Sequence, residues 1–341
     1  MRAAIFTEFG GPEKVHIADV PRPTPGPGEV LLKVEAVAMN HLDLWVRRGL
    51  PIETTMPHIG GSDVAGTVVE LGPGSSGVEI GARVVVNPSL SCGHCRYCVQ
   101  GEEPLCLSYR ILGEHTNGGM AEFVAVPAAN IYPIPEGFSF IEAAALPVSY
   151  QTAWRAIVSR AAVRPGEDVL ILGASGGTAI AALQIARLSG ARVFAVTSGK
   201  ENVERVRALG ADVVYDRTEV DFSREVYRDT GKRGVDVVVE NVGQATWQGS
   251  VRALARGGRL VTYGATTGHE AALDLRVVFW KQIQIIGTTM ASRAEFEAML
   301  RVAWRSELRP VIQATFPLAQ ARAAHELLES GKHFGKLVLV P

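Results

Sequence analysis

The chain has 341 residues, 47% hydrophobic and 20% charged, with a formal net charge of −1. Two domains are expected at that length, and a near-neutral balance gives no electrostatic case for nucleic acid or an anionic membrane surface. The start, Met1-Arg-Ala-Ala-Ile-Phe-Thr-Glu8, lacks a signal peptide's basic flank and apolar core, and no apolar run is long enough to span a bilayer; a soluble, cytoplasmic protein acting on a small molecule is expected.

In chain order, residues 1–40 read as β-structure. Arg2-Ala-Ala-Ile-Phe6 opens a strand, Val15 to Val20 alternates as a second, and Glu29 to Val37 forms a third after the proline-rich connection Pro21 to Gly28. Proline there forbids both a helix interior and a central strand. Met39 to Gly49 reads as a short helix in which Asn40 and Asp43 share one face. His58 to Gly66 is a glycine-rich turn into the strand Thr67–Leu71, and Gly81 to Val86 is another strand. Short strands with Gly/Pro turns predict a barrel-like or sandwich domain up to about Pro147.

All four cysteines lie together, at Cys92, Cys95, Cys98 and Cys106. Two Cys-x-x-Cys gaps and a fourth sulfur after seven intervening residues let thiolates converge on one tetrahedral Zn²⁺. Four protein ligands leave no open position, so this zinc is expected to be structural, with His94 and His115 as surface histidines rather than further ligands.

The centre of the chain carries a dinucleotide signature. The apolar run Val169 to Leu172 breaks into Gly173-Ala-Ser175-Gly176-Gly177, followed by a helical pattern from Thr178 to Leu188, with Ala179 where a third glycine often stands. A buried strand, a glycine turn and a helix N-terminus place backbone N–H groups against a pyrophosphate. Ala191 to Val196, Val235 to Glu240 and Gly258 to Gly264 read as further buried strands, and their alternation with helical patterns predicts a doubly wound parallel sheet. At the end of the second strand, where an NAD enzyme prefers an acid, stand Thr197, Ser198 and Lys200, with Arg217 after the next strand. A hydroxyl and cations without a repelling acid suit a ribose 2′-phosphate, so NADPH is expected over NADH. Beyond this unit, Arg293 to Trp304 and Leu318 to Ser330 read as amphipathic helices. Lys336 to Val340 reads as a strand returning to the first domain, and Trp45, Trp154 and Phe279 read as core aromatics.

Along nearly its whole length the chain resembles the medium-chain dehydrogenase/reductase superfamily, both its zinc-containing alcohol dehydrogenases and its quinone oxidoreductases. The resemblance rests on the N-terminal strand, the proline linker before Gly28-Glu-Val, the Gly61-Ser-Asp63-Val-Ala-Gly66 turn, the cysteine lobe, the coenzyme turn and the Gly335-Lys-Leu-Val end. It implies an α/β protein in which a chaperonin-10 (GroES)-like β-rich catalytic domain, residues 1–148 and 290–341 with a zinc lobe near 90–108, accompanies a Rossmann domain over 149–289. It also implies an active site in the cleft between them. Gly264 and Lys336 join the expected cofactor residues, and a homodimer or homotetramer is expected by analogy.

The resemblance fails at the catalytic zinc of the alcohol dehydrogenases. Their ligand positions are matched here by Asn40, Ser62 and Val148, and their proton-relaying hydroxyl by Leu42; none can replace thiolate or imidazole on zinc. The Asn40…Asp43 and Gly-Ser-Asp pattern instead resembles the quinone and enoyl reductases, which deliver hydride from NADPH without a catalytic metal. The expected reaction is hydride transfer to a quinone, enone or related carbonyl compound. Asn40 and His41 are the candidate donors to the developing oxyanion, and Asp43, Ser62 and Asp63 support the wall. Two alternatives stand: an alcohol/aldehyde dehydrogenase with a non-standard zinc site recruiting His41 or Asp63, and a cofactor-binding protein with negligible turnover.

Overall fold

The computed structural model describes residues 1–305 and 307–341. The chain divides into two compact units, Met1–Ser149 with Ala291–Pro341, and Tyr150–Met290.

The first unit is built around the ten-residue strand Glu29–Ala38, most of whose side chains are buried. It pairs antiparallel with Asp63–Leu71, Phe123–Pro127 and the C-terminal strand Lys336–Val340. Together with Arg83–Val86, Ile131–Pro133 and Ile312–Pro317 these make a seven-stranded sheet. A smaller sheet joins His16–Asp19, Arg2–Phe6 and His58–Ile59. Ile5, Leu32, Val64, Val68, Met120 and Leu339 lie in one apolar core shared by the two sheets, a burial that holds the short strands together at about 25 cal/mol per Å² of apolar surface removed from water. The strand read as Thr67–Leu71 begins four residues earlier, at Asp63, because the glycine turn is shorter than its composition suggests. Only Ala321–Glu329 of the last amphipathic stretch is α-helical, after a 3₁₀ turn at Leu318–Gln320.

The second unit is a six-stranded parallel sheet in the order Val213–Asp216, Arg192–Thr197, Asp168–Ile171, Val235–Glu240, Leu254–Thr262, Gln284–Gly287. Helices such as Gly177–Leu188 and Lys200–Ala208 connect the strands. All four residues of Asp168–Ile171 are buried, as a strand covered on both faces requires. The strand order reverses between Asp168–Ile171 and Val235–Glu240, the place where open α/β sheets take their ligands. Phe279 is 66% exposed and Trp280 67%, so Phe279 is a surface aromatic rather than a core one. The helix that bears them, Leu275–Lys281, has no buried residue.

Candidate functional site

In the first unit, the helix His41–Arg48 is capped by Asn40, whose backbone is extended two residues past the end of the long strand. Asp43 closes this start by accepting the Asn40 N–H at 2.8 Å with Oδ2, while its Oδ1 accepts the Gly61 N–H at 2.9 Å. One carboxylate thus ties the helix start to the glycine turn. Burial pushes the Asp43 carboxyl up to about 6, against the two backbone N–H bonds that favour its charge.

Lys336 reaches the same place from the C-terminal strand. Its ammonium donates to Asn40 Oδ1 at 2.7 Å, Asp63 Oδ2 at 3.0 Å and Ser149 Oγ at 3.3 Å. Asp63 also accepts the Asn40 amide N–H at 2.9 Å and the Val148 backbone N–H at 2.7 Å. Of the residues that match metal-ligand positions, Asn40 and the Val148 backbone are therefore bound into a network with Asp63 and the Lys336 ammonium, and Ser62 is not. Asn40 Nδ2 faces two protein acceptors, Asp63 Oδ2 and, at 3.5 Å, the Ala38 carbonyl, so its amide hydrogens are committed. The Ser62 hydroxyl is buried, with no hydrogen-bond partner among the described residues.

His41 is half-buried beside His333, with ring centroids 5.8 Å apart. Burial, then the charges of Lys336 and Arg48, hold the His41 imidazole below its ordinary value. Burial above all takes His333 down to about 4. Both rings are neutral at physiological pH and can donate from only one nitrogen each.

In the second unit, Gly173 takes a φ of +63°, a conformation costly for any side chain. A Cβ there would also stand 3.0 Å from Asn241 Oδ1. Gly176 caps the helix Gly177–Leu188 without a side-chain hydrogen bond. Ser175, Gly177 and Thr178 are half-buried in the same turn, and Ala179 is fully buried against the sheet. The helix's first amides thus face an open glycine cradle, which fits a pyrophosphate. Gly264 packs close to the same region, since a Cβ on it would lie 3.2 Å from the Asn241 carbonyl.

Thr197 ends its strand with a buried hydroxyl that lacks a partner among the described residues. Ser198 is half-buried, and Lys200 and Arg217 are exposed. Folding also brings in an acid that the linear order does not put at this position: Asp216 is the register partner of Thr197. Its carboxylate is already engaged, Oδ2 accepting the Gly199 N–H at 2.9 Å and Oδ1 the Thr218 hydroxyl at 2.7 Å. The Thr218 hydrogen bonds, chiefly, hold its carboxyl below the usual range.

The four cysteine sulfurs lie within 4.8 Å of one another. The Cys95–Cys98, Cys92–Cys106 and Cys92–Cys98 sulfur separations are 3.5, 3.6 and 3.9 Å. A tetrahedral zinc with Zn–S of about 2.3 Å implies sulfur separations of about 3.8 Å, whereas a disulfide needs about 2.05 Å. The cluster fits zinc and no disulfide. His94 is exposed, turning Nδ1 to the Cys92 carbonyl at 2.8 Å, and His115 Nδ1 lies 3.2 Å from the Ile111 N–H.

Sequence reading missed Ser149, His333, Glu114 and Asp216, each placed by a tertiary contact. Glu114 is the one with a local signal, a lone acid inside the glycine-rich segment Gly113 to Gly119.

A zinc-fitting cysteine lobe on one β-rich unit, and in the other unit a doubly wound sheet with a glycine cradle at its switch point, define a dinucleotide-dependent oxidoreductase. Residues 26–136 match the alcohol dehydrogenase GroES-like domain, and residues 177–305 match the zinc-binding dehydrogenase family. The chain is 34% identical to an NAD-dependent alcohol dehydrogenase of Sulfolobus acidocaldarius, over 99% of each protein. It is 30% identical to the quinone oxidoreductase of Homo sapiens, over 100% of this chain and 98% of that one. It is also 32% identical to the acryloyl-coenzyme A reductase of Metallosphaera sedula, over 97% of both. A crystal structure of an NAD-dependent alcohol dehydrogenase superposes with a TM-score of 0.96 at 44% identity, covering both chains completely. The chain belongs to the medium-chain dehydrogenase/reductase superfamily, in its zinc-type alcohol dehydrogenase and quinone oxidoreductase-like branch, and is an NAD(P)-dependent oxidoreductase.

Proposed function

We propose that the enzyme transfers hydride from NADPH to a quinone, enone or related activated carbonyl compound without a catalytic zinc. The observation that carries this reading is the Lys336 ammonium, 2.7 Å from Asn40 Oδ1 and 3.0 Å from Asp63 Oδ2. A buried cation already serves the carboxylate that a metal site there would recruit, and a divalent ion beside it would meet direct repulsion. Without a Lewis acid, ionising an alcohol at neutral pH loses its main assistance, while reduction of an acceptor already polarised by its own carbonyl does not need it. The relatives named quinone oxidoreductase and acryloyl-coenzyme A reductase agree with such acceptors.

When bound, the dinucleotide supplies the hydride. Gly173, Ser175, Gly176, Gly177, Thr178 and Ala179 would cradle its pyrophosphate, with Gly264 beside them, and Thr197, Ser198, Lys200 and Arg217 would take the 2′-phosphate. Lys336, grouped with these from sequence, instead acts by fixing Asn40 and Asp63. Asn40 is then a positioning group, and His41, as a neutral imidazole, is the N–H donor to the developing oxyanion. Asp43 and Ser62 shape the same wall. The cysteine lobe holds one structural zinc. The exposed edge strand Gln284–Gly287 and the exposed Leu275, Phe279 and Trp280 support a homodimer or homotetramer, which sedimentation equilibrium reads directly. No helix among the described residues is long and apolar enough to cross a membrane, and a reduced four-sulfur site suits a cytoplasmic protein.

Cofactor choice is tested by kcat/KM with both dinucleotides. NADPH is expected to be preferred, and Lys200→Ala with Arg217→Ala is expected to raise its KM about tenfold while sparing NADH, the cost of roughly one charge-assisted contact. A preference for NADH, unmoved by those substitutions, overturns the assignment. The names of the alcohol dehydrogenase relatives favour a second reading, NAD-dependent alcohol oxidation at a non-standard metal site drawing on His41 or Asp63. That reading predicts two zinc ions per chain rather than one.

A further inference from the structure

The loop that carries Glu114 is bound tightly to the wall just described. Gly118, Gly119 and Met120 donate their N–H groups to the carbonyls of Ile59, Gly61 and Gly60 at 2.7, 2.8 and 3.0 Å. Gly113 lies so close to Gly61 that a Cβ on it would stand 2.7 Å from the Gly61 carbonyl carbon. Glu114 is thus one residue from that contact on its side, and Ser62 is one residue from it on the other. Glu114 is 8% exposed, and its Oε2 has no hydrogen-bond partner among the described residues. The same holds for the Ser62 and Thr116 hydroxyls. Three buried polar atoms without partners in one small region cost free energy unless a polar ligand completes them.

The charged and titratable groups around Glu114 leave its carboxyl uncompensated. His115 Nδ1 is 3.6 Å from Oε2, but that nitrogen accepts the Ile111 N–H at 3.2 Å and so carries no proton to share. Burial, then Arg110, keeps His115 below its ordinary value. His58 turns Nε2 to the Gly113 carbonyl at 3.1 Å and is likewise held down by burial. Asp43 is the charged group whose field acts on Glu114, and it raises the carboxyl rather than compensating it. Burial first, and Asp43 second, push the Glu114 carboxyl up to about 7. A carboxyl in this setting is about half protonated at neutral pH, where an ordinary carboxylate is fully ionised.

We propose that Glu114 is the general acid of the reaction. This rests on the reading of the protein as an enone or quinone reductase. Hydride from the reduced dinucleotide forms a C–H bond at the β-carbon of the enone, and the displaced electron pair moves onto the carbonyl oxygen. The resulting enolate takes a proton at the α-carbon: the Glu114 O–H bond breaks, the new C–H bond forms, and water reprotonates the carboxylate. With a quinone, the same proton goes to the phenolate oxygen. The remaining groups of the wall are poorly placed for this task, since Asn40 has committed its amide hydrogens, Asp63 is ion-paired and His41 is neutral.

The test is Glu114→Gln in the full-length, zinc-loaded protein, assayed with NADPH and an enone and a quinone across pH. For wild type, kcat is expected to fall as pH rises through about 7, because the acid must be protonated. Glu114→Gln is expected to lose about 10²–10⁴-fold in kcat, together with that basic limb, while NADPH affinity by fluorescence titration stays within about twofold, the size of a negligible change in free energy. Glu114→Asp is expected to be slower than wild type but to keep the limb. Stability provides an arm that needs no turnover. A carboxyl with a raised folded pKa contributes stability that is fully present below the unfolded value and lost as pH rises through the folded one. Wild type is therefore expected to lose stability through about pH 7, and Glu114→Gln to lose much less. An active wild type with a Glu114→Gln variant of unchanged kcat and unchanged pH profile overturns this assignment alone. A wild type that reduces no enone or quinone overturns the functional reading and this assignment with it.

Discussion

The side chains of Lys336 and Asp63 are 4% and 0% exposed, and each is the other's only opposite charge at hydrogen-bond distance among the described residues. Removing one partner of such a pair strands the other in a poor dielectric. Lys336→Met is expected to cost about 3–5 kcal/mol in denaturant unfolding, and adding Asp63→Asn to recover part of it, because the stranded carboxylate is then gone. Equal losses in the single and double variants would contradict this account of the pair. This contact was not legible in the sequence. Lys336 and Asn40 are 296 positions apart, and no periodicity relates them. The Asn40–Asp43 tie was legible, because three residues along a helix start bring both groups to one place. Asp216 shows the opposite failure: its neighbour Thr197 is reached through strand register, which the order of residues does not display.

At the scale of elements, the cysteine lobe was the easiest to read, since all four ligands fall within one short stretch and the gaps alone let the sulfurs converge. Among its connections are the four-residue helix Arg96–Val99 and the 3₁₀ turn Glu103–Leu105, so little apolar packing holds it, and bound zinc would supply much of its stability. Cys95→Ser is expected to lower zinc content from about one per chain to near zero and to make the lobe sensitive to proteolysis. Retention of stoichiometric zinc in that variant would remove the four-sulfur site from the account. The parallel strands were legible for a related reason, because burial on both faces writes a continuous apolar run such as Val169 to Leu172. The short antiparallel strands were read less accurately. Their ends are set by partners, as when Asp63 joins its strand through pairing with Ala38. The Leu275–Lys281 helix was the least legible, because Leu275, Phe279 and Trp280 are exposed while only Val277 and Val278 pack on the core, against the rule that places large apolar residues inside.

For the whole molecule, the fold class followed from the sequence: a β-rich unit made of two chain segments, and a parallel α/β sheet formed by the residues between them. The composition of the wall was also legible at Asn40 and Ser62, where thiolate and imidazole are missing. What folding adds is the Lys336 ammonium bridging Asn40, Asp63 and Ser149. The central claim, hydride transfer to an activated acceptor without catalytic zinc, is tested most directly by metal content and turnover measured on one preparation. NADPH oxidation is followed with a panel of quinones, enones and aldehydes before and after mild chelation, alongside zinc analysis. The account predicts about one zinc per chain, turnover of quinones or enones that chelation leaves unchanged while the lobe stays loaded, and negligible alcohol oxidation. Two zinc ions per chain, with alcohol oxidation that vanishes as the second is removed, would contradict it.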